Sequence, residues 1–367
     1  MGFIEKIIFD ARMVRASGIG VYVSNVLPFF KNYNTKMKLI GRHEKLNHFN
    51  LDVVQYEREA VYDLVQHILL PRLLNKADMI FFPHFNVPFF LPLNRNIFVT
   101  IHDVFHLDNP DLFSKVKYWY AKLLYWNAVK KATHIFTVSE FSKERLIYHF
   151  PQAKGKITTV YNGVNVSAFQ SATPLESSDF ERLSIPDKYL LFVGNVKPHK
   201  NLKGLLEAYA LLPEAIKATY PLVIVGKKDG FLTGDDILPV IEKLGLMSNI
   251  HFTGYVADED LYRIYKSAHL FVFPSLYEGF GLPPMEALAS GVPAVVSDIP
   301  VLREVYGDHV LYADAANPTV FAEAILKGIS EEALRTACLN GKEQLFDKYN
   351  WEITAQKMIA IIERESK

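Results

Sequence analysis

Two glutamates flank a turn rich in glycine and proline in the segment SLYEGFGLPPMEALASG, residues 275–291. Glu278 lies in the turn, after the apolar stretch LFVFPS, which has the composition of a buried strand. Glu286 follows eight residues later, about one turn into a predicted helix that ends at Gly291. The start of such a helix offers unpaired N–H groups to a phosphate, and carboxylates accept hydrogen bonds from vicinal hydroxyls. The pattern therefore predicts a ligand with a diphosphate between two hydroxyl-rich rings, as in a nucleotide sugar.

Glu286 by itself has a second explanation of equal weight. A carboxylate in the first turn of a helix complements the helix dipole, which stabilises it by a few tenths to about 1 kcal/mol. Glu278 lies in the loop and does not have this explanation.

A basic turn follows another predicted strand, in the stretch FVGNVKPHKNL. It offers Lys197, His199 and Lys200 to the diphosphate that leaves when a sugar is transferred, because fixed cations stabilise such a charge. An isolated turn of this kind is more often simply solvated.

The first half of the chain carries two further polar positions after predicted strands. TIHDVFHL ends a strand with His102 and Asp103, although a lone histidine is usually structural. ASGIGVY follows Asp10 and Arg12 and reads as a glycine loop between a strand and a helix. That loop lacks the G-x-G-x-x-G pattern, which argues against a dinucleotide site.

Short apolar stretches alternate with helical patterns along the chain, which is typical of parallel strands buried on both faces. In order, these stretches are IIFDARMV, MIFFPHF, NIFVTIHD, HIFTVSE and ITTVYNG, then YLLFVGN, LVIVG, IHFTGYV, LFVFPS, PAVVSD and HVLYAD. We predict an α/β protein with two Rossmann-like domains: residues 1–170, with a helix at 350–367 packing back onto them, and residues 184–349. The segment 166–186, rich in Ser, Pro and acids, is predicted to be a linker.

The stretch PSLYEGFGLPPMEALASGVPAVVSD resembles the E-x7-E region of the retaining glycosyltransferases of family 4. Further segments match in order over nearly the whole chain. The resemblance implies the GT-B fold, in which two doubly wound Rossmann-like domains face a central cleft. It also implies transfer of a hexose from a nucleotide-diphosphate sugar to a glycan or lipid-linked oligosaccharide, with retained configuration. No D-x-D element of metal-dependent sugar transferases follows a strand, since Asp258 and Asp260 fit a helix start, so we expect no essential metal or other cofactor.

The resemblance assigns a role to each of these positions. It implies that Glu278 holds the donor sugar, that Glu286 holds the ribose, and that Lys200 stabilises the leaving diphosphate. Family members have an arginine where this chain has Asn195, so Lys197 or His199 is the alternative source of that charge. The family also implies donor contacts at Gly279, Phe280, Gly281 and Leu282, at Gly194, and at Gly18 and Gly20. Tyr255 and Val256 are expected to lie beside the base of the donor.

For the first domain, the resemblance implies that His102 hydrogen-bonds a hydroxyl of the donor sugar. Asp10, Arg12 and Asp103 are the candidates for contact with the acceptor. The segments HILLPRLLNKADMIFFPHFNVPFF and TIHDVFHLDNP resemble bacterial mannosyltransferases of cell-surface polysaccharide assembly. They favour GDP-mannose slightly over UDP-glucose as the donor.

Composition narrows the class of protein. The 40 Lys plus Arg balance 40 Asp plus Glu among 367 residues, which argues against nucleic acid as a partner. The single cysteine, Cys338, excludes a disulfide framework. No signal peptide or spanning stretch is evident, so we expect a cytoplasmic protein.

The segment 112–134 mixes lysines with large aromatic residues. Five lysines (115, 117, 122, 130 and 131) accompany Trp119, Tyr120, Tyr125 and Trp126. One interpretation is a helix that touches the inner face of a membrane. The favoured alternative is a surface helix with its aromatics in the core and its lysines in solvent.

Two other functions stay open. A non-catalytic nucleotide-sugar-binding protein of the same fold is compatible with Asn195 in place of arginine. An NAD-dependent oxidoreductase is compatible with two doubly wound domains, but not with the missing dinucleotide pattern.

Overall fold

The computed structural model describes residues 6–14, 17–34, 36–57, 64–75, 77–91, 96–226 and 237–366. The chain divides into two compact units. The N-terminal unit comprises residues 1–163 with 349–367, and the C-terminal unit comprises residues 164–348.

The described residues of the N-terminal unit form a parallel sheet covered by helices. The strands are β1 (Ile7–Asp10), β2 (Lys38–Gly41), β3 (Asp52–Gln55), β4 (Met79–Phe82), β5 (Asn96–Ile101), β6 (His134–Thr137) and β7 (Ile157–Thr159). The helices are α1 (Ser17–Tyr33), α2 (His43–Leu46), α3 (Gln66–Leu74), α4 (Phe105–Asp108), α5 (Lys115–Lys131), α6 (Glu140–His149) and, at the end of the chain, α18 (Trp351–Glu365). Short 3₁₀ turns lie at Asn47–Phe49, Pro110–Leu112 and Pro151–Lys156.

The strand order in this sheet is β3-β2-β1-β4-β5-β6-β7. The order reverses between β1 and β4, so the loops after these two strands diverge to opposite faces. Ligands bind at such a switch point, outside the carboxyl ends of the strands.

Two apolar cores lie on the two faces of the N-terminal sheet. One core joins the sheet to α3, α5 and α6, and it includes Leu70, Tyr125 and Leu146. The other joins the sheet to α1 and α18, and it includes Met358. The last helix of the chain therefore completes the first unit.

The C-terminal unit repeats this architecture in its described residues. Its strands are β8 (Leu190–Val193), β9 (Leu222–Val225), β10 (Ile250–Gly254), β11 (Leu270–Phe273), β12 (Ala294–Ser297) and β13 (Leu311–Ala313). Its helices are α7 (Val166–Ser171), α8 (Ser177–Leu183), α9 (Leu202–Ala210), α10 (Glu214–Thr219), α11 (Leu238–Lys243), α12 (Asp258–Ser267), α13 (Leu282–Ala289), α14 (Pro300–Tyr306), α15 (Pro318–Ser330), α16 (Glu332–Leu339) and α17 (Glu343–Lys348), with a 3₁₀ turn at Pro198–Lys200.

The second sheet has the order β10-β9-β8-β11-β12-β13, and its paired strands are parallel. Its switch point lies between β8 and β11. The predicted α/β class with two Rossmann-like sheets is confirmed.

The segment predicted to be a linker, 166–186, is not extended: it forms α7 and α8, which belong to the C-terminal unit. Phe169 is buried against the rings of Tyr262 and Tyr265. A capping box between Glu176 and Asp179 begins α8. The polar composition reflects these helix starts and the exposed face of two short helices.

Most of the aromatic and basic segment 112–134 lies in α5, and the favoured interpretation, with aromatics in the core and lysines in solvent, holds for only some of its residues. Tyr125 is fully buried and stacks on Phe85. Lys131 is also buried and donates to the carbonyl of Leu91, so the expectation that it faces solvent or a membrane is wrong. Trp119 and Trp126, however, are exposed.

Candidate functional site

The two loops at the switch point of the second sheet are joined by hydrogen bonds. The backbone N–H of Leu276, after β11, donates to the carbonyl of His199, after β8, at 2.8 Å. The fully buried Ser275 donates to the same carbonyl at 3.2 Å. These bonds fix the loop that carries Glu278 against the loop that carries Lys200.

Lys200 and Glu278 form an ion pair at this junction. Lys200 Nζ lies 2.5 Å from Glu278 Oε1, and the two side chains are 18% and 10% exposed. Lys200 Nζ also lies 5.5 Å from the centroid of the Phe273 ring, at the end of β11. The predicted cation and the predicted loop carboxylate are thus in direct contact.

Glu286 lies in α13 and faces α12. Its Oε2 accepts a hydrogen bond from the hydroxyl of Tyr265 at 2.7 Å. Burial is the main cause that raises the pKa of Glu286 to about 7; the Tyr265 hydrogen bond opposes this rise, and the charge of Asp258 adds to it. The carboxyl is therefore held by a tyrosine side chain rather than by the N–H groups at the start of its own helix.

Gly281 shapes the turn between the two glutamates. Its φ of 86° lies in the left-handed region, and a Cβ there would stand 2.6 Å from Leu302 Cδ2. The Tyr306 hydroxyl donates to the Gly281 carbonyl. Gly279 and Phe280 are buried beside it, and Leu282 begins α13.

The remaining candidates of the second unit lie at the ends of β8 and β10. Gly194 donates to the Val225 carbonyl at 3.1 Å, and a Cβ on Gly226 would stand 2.4 Å from the Gly194 oxygen. Asn195 and Lys197, next in the same loop, are exposed.

Gly254, the last residue of β10, has a φ of 71° and begins the turn towards α12. Tyr255 is 79% exposed, and Val256 is partly buried. The acids that follow lie in the first turn of α12, and Arg182 binds Asp260 at 2.7 Å.

His102 follows β5 in the N-terminal unit. Its Nε2 lies 2.9 Å from the carbonyl of Pro83, so this nitrogen carries the proton and donates. Burial lowers the pKa of His102, so the ring is neutral and Nδ1 is an acceptor. Asp103 accepts from the backbone of Phe105 at 2.9 Å, which fixes it at the start of α4.

Asp10 and Arg12 lie at the switch point of the first sheet and bind each other. Arg12 Nη2 lies 2.7 Å from Asp10 Oδ2, and Arg12 Nη1 donates to Gln66 Oε1 at 2.7 Å. Asn86, after β4, donates to the same Gln66 oxygen at 3.0 Å. The four side chains form one buried polar cluster.

Gly18 and Gly20 lie in the first turn of α1 and not in a loop, so that part of the prediction is wrong. A Cβ on Gly20 would stand 2.8 Å from the carbonyl oxygen of Val14, whereas one on Gly18 would meet nothing within 4 Å. Close packing explains Gly20.

Comparison with known families decides the class of the protein. The family model described as "Glycosyl transferases group 1" matches residues 176–363, and the model for "Glycosyltransferase Family 4" matches residues 34–168. The chain belongs to the group 1 glycosyltransferases. The predicted family and the predicted enzyme class are confirmed, and the oxidoreductase alternative is wrong.

Relatives of this glycosyltransferase include two named mannosyltransferases. O-antigen chain mannosyltransferase B from Escherichia coli is 34% identical over 275 residues, which are 72% of this chain and 69% of that protein. O-antigen chain mannosyltransferase RfbU from Salmonella typhimurium is 32% identical over 236 residues, which are 64% of this chain and 61% of that protein.

Solved structures share the fold at low identity. The structure of Anabaena HepE in complex with UDP and glucose matches with a TM-score of 0.78 at 17% identity, covering 98% of this chain and all of that one. The predicted GT-B fold, with two successive Rossmann-like domains, is confirmed.

Several polar residues of this glycosyltransferase escaped the sequence-based prediction. Gln66, His84 and Asn86 surround Arg12 at the first switch point. Burial, followed by the charges of His102, Arg12 and His106, lowers the pKa of His84 well below its usual value. PHFN directly after the strand MIFF was the available signal, because a strand end beside β1 is a ligand position in this topology.

Proposed function

We propose that this glycosyltransferase moves mannose from GDP-mannose to a glycan or a lipid-linked oligosaccharide, with retention of configuration. Glucose from UDP-glucose is the second choice. The relatives named as O-antigen chain mannosyltransferases support mannose and a polysaccharide acceptor. The structural neighbour with bound UDP and glucose supports a nucleoside-diphosphate donor site in this fold.

The observation that carries the proposal is the contact of Lys200 with Glu278 at the second switch point. A fixed cation stabilises the charge that develops on a leaving diphosphate. A carboxylate beside it accepts hydrogen bonds from the hydroxyls of the sugar attached to that phosphate. Exposed Lys197, in the same loop, is our candidate to replace the arginine absent at Asn195.

We assign the nucleoside diphosphate of the donor to α13, to the turn before it and to the segment after β10. Glu286 would bind the ribose hydroxyls, and the backbone N–H groups of Phe280, Gly281 and Leu282 would meet the diphosphate. Exposed Tyr255 and its neighbour Val256 would lie beside the base.

The chemistry we propose is a substitution on one face of the sugar. The bond from C1 to the phosphate oxygen breaks, and the bond from C1 to the acceptor oxygen forms on the same face. The acceptor's hydroxyl proton passes to the departing phosphate. Protein cations neutralise the leaving group here, so we propose a reaction without an essential metal ion.

The N-terminal unit is assigned to the sugar and the acceptor. The acceptor nitrogen Nδ1 of neutral His102 suits a hydroxyl of the transferred hexose. Asp10, Arg12 and Asp103 are proposed to position the acceptor, and Gly18, whose Cα faces open space, is proposed as a close contact of the donor.

A donor panel followed by a matched pair of variants tests the proposal. Among GDP-mannose, UDP-glucose and an ADP-sugar, GDP-mannose should raise the Tm most, and incubation should release GDP. Lys200→Ala should lower kcat about 10²–10³-fold. Lys203→Ala, which removes a 68% exposed lysine three residues away, should not change it. No stabilisation by any of these sugars, or an active Lys200→Ala variant, would overturn the assignment.

A further inference from the structure

Two neighbouring helices of the N-terminal unit expose apolar side chains. On α5, Val116 is 80% exposed and Trp119 62% exposed, and Trp126 is exposed on the same side. The spacings of three and seven residues place these side chains on one face of the helix. Opposite that face, Tyr125 and Leu124 are fully buried in the core. The exposed face is thus not a continuation of the core.

The second helix, α3, lies beside α5. The Tyr120 hydroxyl lies 3.0 Å from His67 Nε2, and the His67 ring packs against Phe89 at 4.3 Å between centroids. Ile68 in α3 is 54% exposed, and Leu64, two residues before α3, is 65% exposed. We call the exposed side chains of these two neighbouring helices, together with Leu64, the α3–α5 surface.

The charged side chains of α3 and α5 are all positive. Together α3 and α5 contain five lysines, of which only Lys131 is buried, one arginine and no acidic residue, in a chain whose charges balance overall. Lys122 Nζ lies 5.1 Å from the Trp119 ring centroid, and Lys130 Nζ lies 4.8 Å from that of Trp126. Each exposed tryptophan thus has an ammonium group beside it. Aromatic rings between lysines are typical of helices that lie in the headgroup region of a bilayer.

We propose that the α3–α5 surface docks this protein on an anionic phospholipid bilayer. Trp119 and Trp126 enter the interface, and the lysines that α5 exposes contact lipid phosphates. Docking is peripheral, because no helix in the described part of the chain is long and apolar enough to cross a membrane. A second copy of this chain fits the surface poorly, since it would bring two positive surfaces together. The proposal stands independently of the donor and the acceptor.

Vesicle binding by the full chain tests the charge requirement. The protein should sediment with vesicles of phosphatidylcholine and phosphatidylglycerol in equal parts, and much less with phosphatidylcholine alone. One lysine near an anionic surface changes affinity about fivefold, so Lys122→Ala/Lys130→Ala should weaken binding about 25-fold. Both side chains contact solvent, so this variant should fold normally.

A control on the other face of the sheet separates docking from unspecific attraction. Ile353 and Lys357 are exposed on α18, which packs in the opposite core. Ile353→Ser/Lys357→Ala should bind vesicles like the wild type, whereas Leu123→Ser/Lys130→Ala should bind at least tenfold more weakly. Equal losses in both variants would overturn the proposal.

The tryptophans themselves provide a second readout. Trp119 and Trp126 are exposed, and the third tryptophan of the chain, Trp351, is buried. Lipids with brominated acyl chains should quench the fluorescence of the wild type and not that of Trp119→Phe/Trp126→Phe, which retains only Trp351. Equal quenching of both proteins, no binding beyond that to phosphatidylcholine, or dimers that Trp119→Ser abolishes would each contradict bilayer docking.

Discussion

Glu286 is the candidate side chain whose ionisation matters most near neutral pH. Burial raises its pKa to about 7, although the Tyr265 hydroxyl stabilises the carboxylate. Burial and the charge of Glu286 also raise the pKa of Tyr265 well above its usual value, so the tyrosine stays a donor. A carboxylate accepts more hydrogen bonds from hydroxyls than a carboxylic acid does. The proposed ribose site therefore gains its full acceptor capacity only as the pH rises through 7.

The same shift predicts how stability depends on pH. The pKa of Glu286 is raised from 4.5 in the unfolded chain to about 7 in the folded one. Its stabilising contribution is therefore complete below the lower value and is lost as pH rises through the higher one. Glu286→Gln keeps an uncharged side chain at every pH, so its Tm should gain on the wild type between about pH 5 and about pH 8. Thermal unfolding at both pH values measures this gain.

An exposed glutamate supplies the control for that measurement. Glu323→Gln, on the outer face of α15, should show the same Tm difference from the wild type at both pH values. A pH-independent difference for Glu286→Gln as well would contradict the raised pKa.

Lys200 and Glu278 should depend on each other in the absence of any donor. Removing either side chain leaves the other charge unpaired in a largely buried place, which destabilises strongly. A double-mutant cycle with Lys200→Ala and Glu278→Ala should give a coupling energy on the order of 1–3 kcal/mol. The exposed pair Lys203–Glu207 should give only about 0.3–0.5 kcal/mol. Urea unfolding of the six variants measures both values, and similar coupling in the two pairs would contradict the buried contact.

The two glycines at the start of α1 should respond differently to the same substitution. Gly20→Ala forces a Cβ to within 2.8 Å of the Val14 carbonyl oxygen, so it should lower the Tm. Gly18→Ala meets nothing within 4 Å, and alanine is favoured in a helix by up to about 1 kcal/mol, so it should not lower the Tm. If Gly18 contacts the donor as proposed, its variant should also have a higher KM for the nucleotide sugar. Equal melting of the two variants would contradict the packing at Gly20.

Most strands could be predicted from the sequence, including the edge strands β7, β10 and β13, but β2 and β3 could not. LFVF became β11 and LVIV became β9, because a run of four apolar residues has no polar face to expose. By contrast β3, DVVQ, lies at the edge of its sheet with both terminal residues exposed. Its pairing with β2 depends on the fold of the chain around it, and four residues carry too little pattern to show this.

Some residues of the candidate site could likewise be predicted from the sequence, and others could not. Lys200 and Glu278 each follow an apolar strand, so a local pattern identifies them, but only the strand order makes β8 and β11 neighbours. Gln66, which binds Arg12, lies 54 residues away from it along the chain and has no local signature. Residues that act through tertiary contacts of this kind are found only once the topology is known.

The last helix of the chain, α18, does not belong to the C-terminal unit that precedes it. It lies in the core of the N-terminal unit. Met358 is fully buried there, and its sulfur accepts a hydrogen bond from Tyr22, in α1, at 3.3 Å. Met358→Ala should therefore cost about 2–5 kcal/mol of stability in the first unit. Met247→Ala, at a 59% exposed site of the second unit, should cost almost nothing.

Hydrogen exchange can assign that loss to one unit. Met358→Ala should increase exchange in α1 and β1, whose side chains share the core with Met358. Exchange in β8 and β11, which lie in the C-terminal unit, should not change. Increased exchange in β11, or an equal loss of stability in Met247→Ala, would mean that α18 does not belong specifically to the first unit.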